Sequence, residues 1–120
     1  HECKIKKNKY FKVWGTGKPL RELIFVDDIA DACIFFMNKK TKSSLINIGT
    51  GKDMSIKQYA SFLIKKLKLK AKIKFDKSKP DGVPKKLLDT SLARKYGWKS
   101  KISLDKGFEI TYKSFLENNK

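Results

Sequence analysis

The sequence is short of the side chains that do acid–base, redox and metal chemistry. Its 120 residues hold one histidine, His1, and two cysteines, Cys3 and Cys33. A single histidine at the start of the chain gives no base from which a Ser/His/Asp or Cys/His set can be assembled. Two cysteines far apart make neither a disulfide framework nor a zinc site. Cys33, in an apolar helical run, is expected to be a small buried thiol, and the sparse cysteine points to a reducing cytoplasm. Long hydrophobic runs are missing as well. The longest apolar region, 23–37, is broken by Asp27, Asp28 and Asp31, so no stretch is suited to spanning a bilayer. The sequence opens without an initiator Met or a signal peptide, and its length is that of one domain or a piece of a larger one.

Arginine is scarce in a chain that is otherwise strongly basic. The formal net charge is +17, yet of 29 basic residues only Arg21 and Arg94 are arginines. Such a charge suits an anionic partner: nucleic acid, a membrane surface or a phosphorylated small molecule. Base-edge readout and two-pronged phosphate gripping lean on arginine, however, and the lysines are spread along the whole chain. A lysine-rich solvated surface fits this distribution better than a nucleic-acid face, although a basic nucleic-acid-binding module stays open as an alternative.

What is present reads as alternating strands and helices, an α/β class. Residues 1–10 look like a helix end and a loop. Phe11, Val13 and Trp14 suggest a short strand that stops at Gly15-Thr16-Gly17. Residues 23–26 are continuously apolar, as in a strand buried on both faces, and Asp27 or Asp28 is expected to cap a helix reaching about Asn38. That helix is apolar nearly all round and needs cover on more than one side. Another strand is expected at 45–48. Ser55 and Gln58 form a capping-box pair ahead of an amphipathic helix. Residues 71–75 alternate as a half-solvated strand, a short helix should stop at Gly97, and Ser103 should cap the last helix.

Gly-Thr-Gly-Lys occurs twice, at 15–18 and 49–52, and invites a phosphate-loop reading. The spacing fails: Lys12 and Ile46 stand where a Walker loop needs its first glycine, and Pro19 and Asp53 where it needs Ser or Thr. Leu20 and Met54 occupy the third glycine of a dinucleotide fingerprint, so both segments read as turns. Two loops hold the remaining candidates. Arg21 can grip a phosphate with paired hydrogen bonds, or form a structural pair with Glu22 or a nearby aspartate. Trp14 can stack on a base or sugar, or be core. The stretch 78–89 is stiffened by Pro80, Gly82 and Pro84 and carries lysines and aspartates. It is either a solvated connector or a rigid platform for a ligand.

The run Val13-Trp14-Gly15-Thr16-Gly17-Lys18-Pro19-Leu20-Arg21-Glu22-Leu23, followed by Phe25-Val26-Asp27-Asp28-Ile29-Ala30, resembles the C-terminal half of the extended short-chain dehydrogenase/reductase superfamily. Lys79-Pro80-Asp81-Gly82-Val83-Pro84-Lys85-Lys86-Leu87-Leu88-Asp89, with Gly97-Trp98, narrows the resemblance to the GDP-L-fucose synthase family; the first run alone also fits other nucleotide-sugar epimerases and dehydratases. Departures are Leu23, where the family often has Phe, and Lys85, where it often has Arg.

The resemblance implies an NADP-dependent enzyme that epimerises and reduces GDP-4-keto-6-deoxy-mannose to GDP-L-fucose. It further implies that 1–120 is the C-terminal substrate-binding portion, lacking most of the Rossmann domain, with about 23–48 packing on what is missing. The catalytic and cofactor-binding residues would all lie earlier in the family's chain, leaving this stretch inactive by itself. Carried over by position are four contacts to the GDP-sugar: Trp14, Arg21, Asp81 and Lys86. Arg21 and Lys86 would clamp the diphosphate and Asp81 would accept hydrogen bonds from sugar or base, with Lys85 a solvated neighbour. A chain cut in this way is expected to expose apolar surface and to associate with itself, as a dimer.

Overall fold

A computed structural model describes residues 1–119. The chain divides into two compact units, each assembled from two stretches of sequence. The first takes His1–Arg21 and Asp53–Leu87, and the second Glu22–Lys52 and the chain from Leu88 onward.

The first unit contains the strands, apart from Glu22 at the end of β2. A short helix α1 (Glu2–Ile5) leads to β1 (Tyr10–Trp14), which pairs in parallel with β4 (Lys72–Asp76), Val13 lying opposite Phe75. A separate three-stranded sheet places β2 (Leu20–Glu22) between β3 (Asp53–Ser55) and the two-residue β5 (Lys85–Lys86). Helix α3 (Ile56–Lys66) follows β3 directly, through the capping box read from the sequence. Ser55 Oγ accepts from Gln58 N at 3.2 Å, and Gln58 Oε1 accepts from Ser55 N at 2.7 Å. Its first two amides, which have no partner inside the helix, donate to the loop between β1 and β2: Ile56 N to Pro19 O at 3.0 Å and Lys57 N to Gly17 O at 2.9 Å. Ala60, Leu67 and Val13 are the buried apolar residues of this unit.

The second unit is helical: α2 (Val26–Met37), α4 (Ser91–Lys95) and α5 (Leu104–Asn118). Its core is Ala32, Ala93 and Trp98, with Ile24, Phe35, Phe36, Ile46 and Ile48 packed against them. Helix α4 ends as the glycine predicted. Gly97 has φ +98°, its amide donates to Arg94 O at 2.9 Å, and Trp98 N donates to Ala93 O at 3.0 Å, a Schellman closure. Ser103 caps α5, its Oγ accepting from Lys106 N at 3.2 Å.

Three expectations for the second unit fail together. Residues 23–25 and 45–48 join no ladder among the described residues; the apolar run supplies strand propensity, not a partner to pair with. Neither Asp27 nor Asp28 caps α2, whose N-cap is Phe25. Asp28 is instead buried, 2% exposed, and its carboxylate accepts from Lys101 N and Ile102 N at 3.0–3.1 Å, holding the approach to α5. Cys33 is exposed, not a buried thiol, because α2 turns Ala32, Phe35 and Phe36 to the core and leaves 33, 34 and 37 outside. Leu23, Val26, Ile34, Met37 and Leu45 are all more than half exposed.

Candidate functional site

All four residues singled out by the resemblance belong to the first unit, on its β1–β2 and β4–β5 stretches. Strand β2 pairs with β5 in parallel, with Leu20 opposite Lys85 and Arg21 opposite Lys86. Side chains alternate faces along a strand, so register partners share a face and neighbours do not. Arg21 and Lys86 therefore project from the same side, while Lys85 projects from the other.

The two lysines, indistinguishable by type, are separated by their partners. Lys85 Nζ lies 3.6 Å from Asp53 Oδ2 on β3, an ion pair spanning the sheet on the Leu20 side. That oxygen is buried and makes no hydrogen bond, so Lys85 is its sole compensation at a distance too long for a direct bond. Lys85 is solvated as expected, its side chain 56% exposed, but it also carries this ion pair. The Lys86 side chain has no carboxylate or acceptor within reach among the described residues.

Arg21 is half-buried, and one arm of its guanidinium is fixed. Nη1 donates to Leu20 O and to Val83 O, both at 2.7 Å, and Tyr59 Oη donates to the Arg21 carbonyl at 2.9 Å. A Cβ at Gly82 would stand 2.9 Å from Nη2, so the loop passes close to the free arm of the guanidinium. Among the described residues Arg21 meets no carboxylate, and the pairing with Glu22 does not form. Its second arm, Nη2, makes no hydrogen bond among the described residues.

The loop ahead of β5 is sewn to the β1–β2 turn at several points. Asp76 starts it with an Asx turn, accepting from Ser78 N at 3.1 Å and Ser78 Oγ at 2.6 Å. Gly15 N donates to Asp76 O at 2.9 Å and Leu20 N to Pro84 O at 2.8 Å. Between these, Asp81 reaches across: Oδ1 accepts from Thr16 N at 2.8 Å and Oδ2 from Thr16 Oγ1 at 2.5 Å. The hydroxyl and then the amide of Thr16 hold the Asp81 carboxyl below the usual range, with Lys18 adding to the effect. Trp14 is 73% exposed, not core, and Lys79 Nζ sits 5.6 Å from the centre of its ring.

The Gly-Thr-Gly turns are anion cradles whose anions are the chain's own. A Cβ at Gly15 would collide with the Asp81 carboxylate. In the second unit, Glu22 Oε1 accepts from Gly51 N at 2.6 Å and Thr50 Oγ1 at 3.0 Å, and Oε2 accepts from Leu88 N at 3.1 Å. Partial burial pushes the Glu22 carboxyl up; the bonds from Leu88, Gly51 and Thr50 outweigh it and hold the carboxyl low. With both turns filled, neither fits the diphosphate of a dinucleotide cofactor. Among the described residues no cluster of three or more His, Cys, Asp or Glu could hold a metal, and no helix is long and apolar enough to cross a membrane.

A family model for the NAD dependent epimerase/dehydratase family matches residues 3–49. A putative GDP-L-fucose synthase 2 of Arabidopsis thaliana is 42% identical over 118 residues, covering 98% of this chain and 36% of its own length. Among solved structures, a GDP-L-fucose synthetase from Naegleria fowleri superposes with a TM-score of 0.83 at 25% identity, over 98% of this chain and 36% of the other. Over nearly its whole length the chain is thus similar to nucleotide-sugar epimerases and reductases. A GDP-mannoheptose C4 reductase from Campylobacter jejuni, solved with NADP bound, is 36% identical with a TM-score of 0.77, over 90% of this chain and 35% of that one. The chain therefore spans about a third of the length of the superfamily members it matches, and its α/β fold is that of the extended short-chain dehydrogenases/reductases.

Thr16 and Glu22 escaped the reading of the sequence. Thr16 was only the middle of a turn, and Glu22 only a possible partner for Arg21. Nothing in local spacing marks a bond to a residue 65 positions away.

Proposed function

We propose that this chain is the substrate-binding part of an NADP-dependent epimerase/reductase of the GDP-L-fucose synthase type, acting on GDP-4-keto-6-deoxy-mannose. The observation that carries the reading is the parallel register of Arg21 with Lys86. Two cations on one face, one half-pinned by backbone carbonyls and the other unpartnered, suit a ligand with two adjacent negative charges. A diphosphate is such a ligand, and a guanidinium offers it paired, charge-assisted hydrogen bonds. Exposed Trp14 offers a ring face to a base or sugar. Lys85, tied to Asp53, takes no part. NADP supplies the hydride when bound, and is held by parts of the polypeptide outside this sequence, since both Gly-Thr-Gly turns are closed by carboxylates.

Calorimetric titration of GDP into the chain at low salt tests the reading. Binding should weaken at least about tenfold in Arg21→Ala, the loss of one charge-assisted pair, and less in Lys86→Ala. The absence of any heat with GDP, or equal binding by Arg21→Ala, overturns it.

In the same reading, the exposed apolar residues of 23–48 pack on the nucleotide-binding remainder of the enzyme. Without that cover the chain associates with itself as a dimer. Light scattering at high concentration should then give twice the monomer mass of 13.9 kDa; a clean monomer refutes the association.

A further inference from the structure

We infer that Thr16 and Asp81 are a positioning pair: their hydrogen bonds lock the Pro-Gly loop onto the β1–β2 turn and so set the spacing of Arg21 and Lys86. The inference rests on the reading of that face as a diphosphate site, but it assigns Asp81 a different task from the one expected. Each oxygen of Asp81 accepts a bond from Thr16, at 2.8 and 2.5 Å. An unsatisfied carboxylate beside two cations meant for an anion would repel that anion and compete for the cations. Bonded to a hydroxyl and an amide, it has its charge satisfied by Thr16.

The mechanical consequence follows from the chain path. Between Asp76 and Lys86 the loop is attached at Gly15 N–Asp76 O, Thr16–Asp81, Arg21 Nη1–Val83 O and Leu20 N–Pro84 O. Only the Thr16–Asp81 attachment includes a bond, Oγ1 to Oδ2, that a side-chain substitution at either end can remove without touching Arg21. It sits midway, with Val83 two residues on and Pro84 next, so a displacement of Asp81 passes along a short stretch of backbone to Val83 and on to β5. It also brings Lys79 over Trp14. Releasing it lets Val83 O drift from the guanidinium and shifts Lys86 against Arg21.

The test compares wild type, Thr16→Val, Thr16→Ser and Asp81→Ala, in two measurements. Amide hydrogen exchange without ligand reports the lock directly. Exchange at Thr16 and Leu20 should accelerate about tenfold or more in Thr16→Val and Asp81→Ala, and stay near wild type in Thr16→Ser, which keeps both donors. Calorimetry with GDP and with guanosine reports the positioning. GDP affinity should fall about five- to tenfold in the two opened variants while guanosine affinity holds, because the phosphate contacts alone lose their geometry. Faster exchange with unchanged GDP affinity overturns the inference and leaves the proposed function standing. Equal losses for GDP and guanosine also overturn it, since plain destabilisation moves both. Failure of the proposed function shows separately, as Arg21→Ala binding GDP like wild type.

Discussion

Two copies of the same tripeptide, Gly15-Thr16-Gly17 and Gly49-Thr50-Gly51, do related work in the two units with different consequences. Each turn wraps a carboxylate far off in sequence: Asp81 for the first, Glu22 for the second. In the first, the threonine supplies both donors and the carboxylate is exposed. In the second, threonine and the following glycine share Oε1, Leu88 N takes Oε2, and the carboxylate is half-buried. The first contact is a loop fastening. The second joins three backbone stretches within the helical unit, the start at Glu22, the turn at 49–51 and the re-entry at Leu88. A glycine-rich turn makes an anion-binding concavity, and which anion fills it depends on what the rest of the chain delivers there.

The sharpest way to break the comparison is to delete the second anion. Glu22→Ala leaves Gly51 N, Thr50 Oγ1 and Leu88 N without their acceptor and should destabilise the helical unit by about 2–3 kcal/mol, read by urea denaturation. An effect below that of a typical surface substitution would mean that water replaces the carboxylate at no cost. The same carboxylate gives a pH signature. Its folded pKa lies below the unfolded value of roughly 4.3, so its stabilisation is complete above that pH and is lost as pH falls through the folded pKa. Denaturation midpoints should fall below about pH 4.3 in wild type more steeply than in Glu22→Gln. Smaller in effect is Gly15→Ala. Gly15 has φ +77° and its Cβ would meet the Asp81 carboxylate. A cost of about 1–2 kcal/mol is expected, with Thr16 amide exchange accelerated while Glu22-linked amides are unmoved. Acceleration at Gly51 as well would show that the two turns are coupled.

Much of the local structure was legible in the sequence for reasons that operate over a few residues. The Ser55/Gln58 box, the Ser103 cap and the Gly97 stop rely on side chains within one helical turn of the groups they satisfy. The readings that failed needed distant partners. Residues 23–26 and 45–48 have strand composition, but a strand exists only where another lies beside it. Asp28 has cap chemistry, yet its carboxylate goes to amides at 101 and 102.

At the candidate site the division is the same. The sequence determined the inventory by itself: two arginines among many lysines, an indole next to a glycine turn, and a proline-stiffened basic loop, together with the resemblance they carry. It could not show that Lys85 pairs with Asp53, could not detach Arg21 from Glu22, and could not show that Asp81 is bonded to Thr16. Those decisions belong to the tertiary structure. They depend on strand register and on which face alternation gives each side chain, quantities set by contacts between segments some 65 residues apart.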